Sequence, residues 1–295
     1  MSRGATSAQA LAVVATSCLR QIVRNERGVR DGFGEAVHQM RIGLRRLRAG
    51  LSIFKGVLGR AQLDTLRPEL VWLTEQLGEV REYDVLIGSM RKLQQSARSA
   101  FVGASELSDE LAGRRRQAFA RASAAVASTR FQRLIVSSTI ALILRADEQG
   151  AGDRLARDLA RKVLEHRTKR VLRRLARFAR LGVRERHELR IEVKKLRYGA
   201  EFFATLFPNS NRSRKRFTRA LSALQDVLGN LNDSAVHRRI AADLVEDGPE
   251  QAGASRRIAF AMGRLTENEQ IEARSLIARV PMFATRLSVA PRFWR

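Results

Sequence analysis

Residues 37–58, VHQMRIGLRRLRAGLSIFKGVL, and residues 186–207, RHELRIEVKKLRYGAEFFATLF, align without a gap. The offset is 149 residues and puts His38 on His187, Arg41 on Arg190, Ile42 on Ile191, Arg45-Arg46 on Lys194-Lys195, Leu47-Arg48 on Leu196-Arg197 and Phe54 on Phe203. A weaker echo follows each block about 40 residues after its histidine, LGEVREYDVL (77–86) and LGNLNDSAV (228–236). Self-similarity at a fixed offset is the mark of two related halves.

Each block reads as an amphipathic helix with a separate basic stripe. With His38 at 0° and about 100° per residue, Arg41, Arg45 and Arg48 fall near 300°, 340° and 280°. Met40, Leu44, Leu47, Leu51, Phe54 and Leu58 occupy about 160° to 240°, the face that meets a core. The second block repeats the pattern, with His187, Arg190, Lys194 and Arg197 on the stripe above Leu189, Val193, Leu196, Ala200, Phe203 and Phe207. Arg46 and Lys195 lie about 80° from the histidine, on a flank of the stripe. Like charges at i,i+3 and i,i+4 cost an isolated helix a few tenths of a kcal/mol per pair, and neither stripe meets an acidic partner before Glu201. A single basic run is ordinarily a solvated face. Duplicated in one register, with a histidine at the same place in each copy, it reads as a surface that meets anions. For the histidines, a structural role and an anion-binding role both stay open. A neighbouring phosphate would raise their proton affinity from a reference value near 6.5.

Working outward, apolar residues recur at helical spacing nearly throughout, and long alternating runs are absent, so the chain is expected to be all-α. Helices are expected over about 7–27, 35–58, 62–80, 82–98 and 104–145, the last broken near Thr129–Phe131. In the second half they are expected over 153–181, 184–207, 212–230, 232–247 and 253–279. The clearest break is DEQGAGD (147–153), which sets the halves at 1–148 and 149–295 of one integrated domain. Leu11, Val14, Cys18 and Ile22 form the apolar stripe of a first helix, although Arg3 followed by Ala8–Ala15 also has a weak likeness to a secretory leader.

The chain has 295 residues, and 55 Lys+Arg against 30 Asp+Glu give a net charge of +25. Such a charge makes a compact state repel itself and points to a polyanion as part of its surroundings. Part of the arginine excess can reflect gene base composition, but that does not place the charges in stripes. Aromatic residues are only 6%, so stacking platforms for single-stranded nucleic acid are scarce. The lone Cys18 excludes an internal disulfide and a cysteine-rich zinc site, and suggests a reducing compartment. No run of 18 apolar residues is present to span a bilayer. No phosphate-cradling glycine loop, spaced carboxylate trio or nucleophile motif accompanies the histidines, so neither a catalytic residue, a metal nor a cofactor is expected.

The two histidine blocks closely resemble the paired motifs of the CHAD family, the conserved histidine α-helical domain. LGEVREYDVL and LQDVLGNLNDSAV (224–236) resemble its later segments, and the resemblance covers essentially the whole chain. One departure is Glu82, where the family usually has Asp, which leaves a fixed salt bridge at that point in question. The resemblance implies two pseudo-twofold-related bundles of long antiparallel helices around a basic central groove or pore that binds inorganic polyphosphate. It also implies a cytoplasmic protein associated with polyphosphate granules, with granule proteins as further partners. Carried over by position, the binding residues are His38, Arg41, Arg45, Arg46 and Arg48, with His187, Arg190, Lys194, Lys195 and Arg197. Arg20, Arg24, Lys169, Arg173 and Arg177 would add charge, and Arg81, Glu82, Asn232 and Asp233 would pair with and orient the row. The strand motif of the CYTH module often fused to such domains is absent, so the chain resembles the CHAD module alone.

Three functions follow in order: non-enzymatic polyphosphate binding, general polyanion or nucleic-acid binding, and an enzyme acting on phosphoanhydrides. Any chain of this charge retains some nucleic acid at low salt, so contact with it is expected to be non-specific. Oligomeric state is not legible.

Overall fold

A computed structural model describes residues 1–2, 4–97, 101–144, 154–246 and 252–295, and every regular element among them is helical. The predicted break at 147–153, and with it the boundary between halves, lies outside the described residues.

The first half runs α1 (Ser7–Arg24), α2 (Glu26–Arg30), α3 (Gly34–Ile53), α4 (Arg60–Gln76), α5 (Gly78–Ala97), α6 (Ala104–Ala127) and α7 (Thr129–Thr139), with a π-helical turn at Ile140–Leu144. The second runs α8 (Ala156–Leu175), α9 (Val183–Phe202), α10 (Asn211–Glu246) and α11 (Ala252–Ser288). Caps explain several ends. Thr6 and Gln9 form a reciprocal capping box that starts α1. Ser128, extended at ψ 153°, accepts from the Phe131 amide at 3.2 Å and starts α7 where the sequence indicates a break.

Two predicted boundaries need correction. The expected break near 231 does not occur, because α10 continues through Gly229 while Val227, Leu228, Ser234 and His237 are all buried along it. The predicted stop at 279 is also passed. α11 carries Pro281 internally because Val280, Phe283 and Leu287 are buried against the core, and that burial outweighs the lost amide donor. Four helices end earlier than expected, α1 at Arg24, α3 at Ile53, α8 at Leu175 and α9 at Phe202, and the α4–α5 junction sits at Leu77, which shortens α4 and lengthens α5.

α1 and α3 pack closely, and a Cβ on Gly43 would come within 2.9 Å of Ile22. α3 and α9 meet toward their C-terminal ends, where Phe54 and Phe203 stand edge to face at 5.7 Å and Gly199 faces Ile53. One large core runs from Ala8 to Trp294 and draws on both halves, with a smaller cluster under α5, α6, α10 and α11. The start of α1 is tied to the start of α8. Ser7 donates to the Arg154 carbonyl at 2.8 Å, and Ala156 donates to the Ala5 carbonyl at 2.9 Å. At the other end Trp294 is buried, packs on Phe217 at 4.8 Å and donates through Nε1 to Glu165 at 3.3 Å. No helix among the described residues is long and apolar enough to cross a membrane.

Candidate functional site

The N-terminal halves of α3 and α9 open onto a cleft of about 1540 Å³ completed by α5, α10 and α11. Burial of Met40, Leu44 and Leu47 on α3, and of Leu189, Val193 and Leu196 on α9, turns each helix so that its stripe faces this space. His38, Arg41 and Arg45 line it from one side, and His187, Arg190 and Lys194 line it from the other.

The cleft concentrates cations and leaves them short of partners. Arg81, Arg184, Arg186, Arg238, Arg239 and Arg274 also line it, against the carboxylates Glu82, Glu188, Asp226 and Asp233. Three of those carboxylates are engaged: Glu82 with Arg239 at 2.6 Å, Glu188 with Arg174 at 2.9 Å and Asp233 with Arg190 at 3.6 Å. Arg41 Nη1 donates at 2.8 Å to the carbonyl of Thr74, in the last turn of α4, where free helix carbonyls collect. Burial and then the nearby Arg45 pull the Arg41 guanidinium down to about 10, with Arg81 and Arg190 adding and Glu82 opposing. Burial, followed by Arg190 and Arg45, pulls Lys194 down to about 6, although Asp233 opposes. The Nε atoms of Arg41, Arg45 and Arg190 are buried with no acceptor within the protein.

The two histidines differ. His38 is pushed below its ordinary value by burial and then by Arg81, and its Nδ1 has no partner. His187 Nδ1 meets the side-chain oxygen of Asn232, an acceptor. Chemically, the cleft offers forked and point donors to a run of acidic oxygens. Among the described residues no cluster of three His, Cys, Asp or Glu could hold a metal ion.

The structure divides the residues predicted for binding. Six gather in the cleft, while Arg46, Arg48, Lys195 and Arg197 do not line it. Arg46 and Lys195 leave from the flank, about 80° from the histidine, and for Arg48 and Arg197 the reason is the crossing: near Phe54 and Phe203 the helices close on each other, so the C-terminal part of each stripe passes beyond the opening. Arg46 turns to α1, donating to Gln21 at 2.7 Å and lying over Phe202 at 5.8 Å. Arg197 pairs with Glu201 at 3.1 Å, and exposed Arg48 acts on Lys195 together with Arg167. Of the additional charges, Lys169 pairs with Glu165 at 3.7 Å, Arg20 and Arg24 line a separate cleft with Arg46, and Arg173 and Arg177 line neither.

The predicted orienting groups also divide. Asn232 and Asp233 act on His187 and Arg190 as expected, but Glu82 pairs with Arg239. Arg81 adds positive field to His38 and Arg41 and is no counter-ion. Sequence reasoning missed Arg184, Arg186, Arg238, Arg239 and Arg274. The first four carried a signal, because each pair flanks a repeated motif, whereas Arg274 is placed only by the course of α11.

Comparison with known proteins agrees with this architecture. The crystal structure of the CHAD domain from the plant Ricinus communis superposes with a TM-score of 0.84 at 29% identity, covering 99% of this chain and 96% of that one. PptA from Streptomyces chartreusis gives a TM-score of 0.67 at 19% identity, over 95% and 99% of the two chains, a likeness of fold. Among proteins with curated functions none matches the sequence. The CHAD domain pattern itself matches residues 13–242, which takes in both histidine helices and the cleft lining apart from that of α11, and the chain therefore belongs to the CHAD family.

Proposed function

We propose that the protein binds inorganic polyphosphate in the cleft between α3 and α9 and does not turn it over. The observation that carries this reading is the facing of Arg41 and Arg45 against Arg190 and Lys194, with three buried guanidinium Nε atoms that the protein itself leaves without acceptors. A linear chain of phosphates supplies acceptors at every unit and asks for no fixed register, which suits a mixed arginine and lysine lining. Engagement of Glu82, Glu188 and Asp233 by arginines leaves few carboxylates for metal-assisted phosphoryl transfer, which favours binding over catalysis. Association with polyphosphate granules and their proteins follows as the cellular role.

The test is a titration of long-chain polyphosphate at physiological salt with equal phosphate equivalents of DNA as competitor. Tight binding that resists DNA and is lost in the combined Arg41→Ala, Arg45→Ala, Arg190→Ala and Lys194→Ala variant is expected. Equal displacement by DNA makes the lining a generic polyanion surface, and phosphate release from pure protein with Mg²⁺ makes it an enzyme.

A further inference from the structure

A second cleft, of about 680 Å³, lies on the opposite flank of α3, between that helix and α1. It shares no lining residue with the main cleft. Its cations are Arg20, Arg24 and Arg46, and no carboxylate lines it. Arg20 and Arg24 stand one turn apart on α1, both exposed, and neither has an ion-pair partner among the described residues. Like charges at this spacing repel, offset at Arg24 by the C-terminal end of the α1 dipole.

Arg46 is different because it is held in place. Its Nη1 donates to Gln21, its Nη2 reaches Ser17 at 3.5 Å, its plane lies over Phe202, and its buried Nε has no acceptor. A guanidinium fixed in this way loses little freedom when it takes up an oxyanion. The cleft also has an apolar wall, Ala12 and the half-exposed Val13. Its volume is in the range that holds small ligands.

We propose that the α1–α3 cleft is a site for a small phosphorylated molecule of nucleotide size. Its phosphates meet Arg20, Arg24 and Arg46, and its apolar body rests on Ala12 and Val13. The site is independent of the main cleft and of what that cleft binds.

The experiment uses the full chain at physiological salt, with ADP and inorganic pyrophosphate as calorimetric probes. ADP is expected to bind at one equivalent and more tightly than pyrophosphate. Arg20→Gln with Arg24→Gln weakens it about tenfold or more, and Arg20→Lys with Arg24→Lys weakens it less, because charge survives but the fork is lost. Both side chains are exposed and repel each other, so the thermal transition should not fall. Ser17→Trp, which fills the cleft at constant charge, should give the same loss. Arg41→Ala with Arg190→Ala should leave ADP affinity within about twofold. The proposal is overturned if ADP shows no saturable binding, if the main-cleft pair abolishes it while the glutamine pair does not, or if pyrophosphate binds the Arg41→Ala, Arg190→Ala protein as tightly as ADP does.

Discussion

Lys194 sits in the field of Arg45, its counterpart across the cleft, and burial together with Arg190 and Arg45 brings its ammonium down to about 6. At pH 7 without a ligand the amine is therefore mostly neutral, and a polyanion beside it restores the proton. Binding must then take up protons. The affinity from this group is fully present below the free value near 6 and is lost as pH rises through the higher bound value. Calorimetry at pH 7 in buffers of different ionisation enthalpy should show proton uptake, and Lys194→Met should reduce it.

The same lysine gives a stability prediction of opposite sense. An unfolded lysine keeps its ordinary value of 10.5, so between about 6 and 10.5 the unfolded chain binds more protons than the folded one. Stability of the free protein from this group therefore rises with pH across that window. Thermal transitions at pH 7 and pH 9, compared between wild type and Lys194→Met, should show the difference shrinking in the variant.

Asp233 competes with any anion for Arg190, at 3.6 Å, and adds a negative charge to the cleft. Asp233→Asn should tighten polyphosphate binding by about threefold to tenfold and lower the stability of the free protein, since Arg190 loses its counter-ion. Weaker binding would mean that Asp233 serves chiefly to orient Arg190.

Salt should reveal how many cleft cations are used. For a flexible phosphate chain, log affinity should fall with log salt at a slope of about 0.7 per neutralised phosphate. Arg41→Ala and Arg190→Ala should each flatten the slope by roughly that amount. An unchanged slope would place the chain elsewhere on the surface.

Phe54 and Phe203, edge to face at 5.7 Å, are both fully buried at the α3–α9 crossing. Phe203→Ala should cost about 3 to 5 kcal/mol in denaturant unfolding. Polyphosphate affinity should fall with it even at temperatures where the variant is folded, because the crossing sets the distance between the two basic stripes.

Helical class and the two histidine stripes were legible because they depend on spacing alone. His38, Arg41 and Arg45, with His187, Arg190 and Lys194, reach the cleft as the wheel places them. Arg48 and Arg197 lie on the same stripes and miss it, since a wheel has no information about where two helices cross. Local rules also misled at α10 and at Pro281, where burial at Ser234 and His237, and at Phe283 and Leu287, carried each helix past its expected end. Arg274 reaches the cleft from α11, and no pattern near it shows that.

The tie between Ser7 and Arg154 spans 147 residues of chain. During synthesis α1 emerges before α8, yet the strand-like pairing that fixes its beginning waits for the start of α8. Vectorial synthesis and folding order therefore diverge: the start of α1 stays untied until residue 154 has left the ribosome.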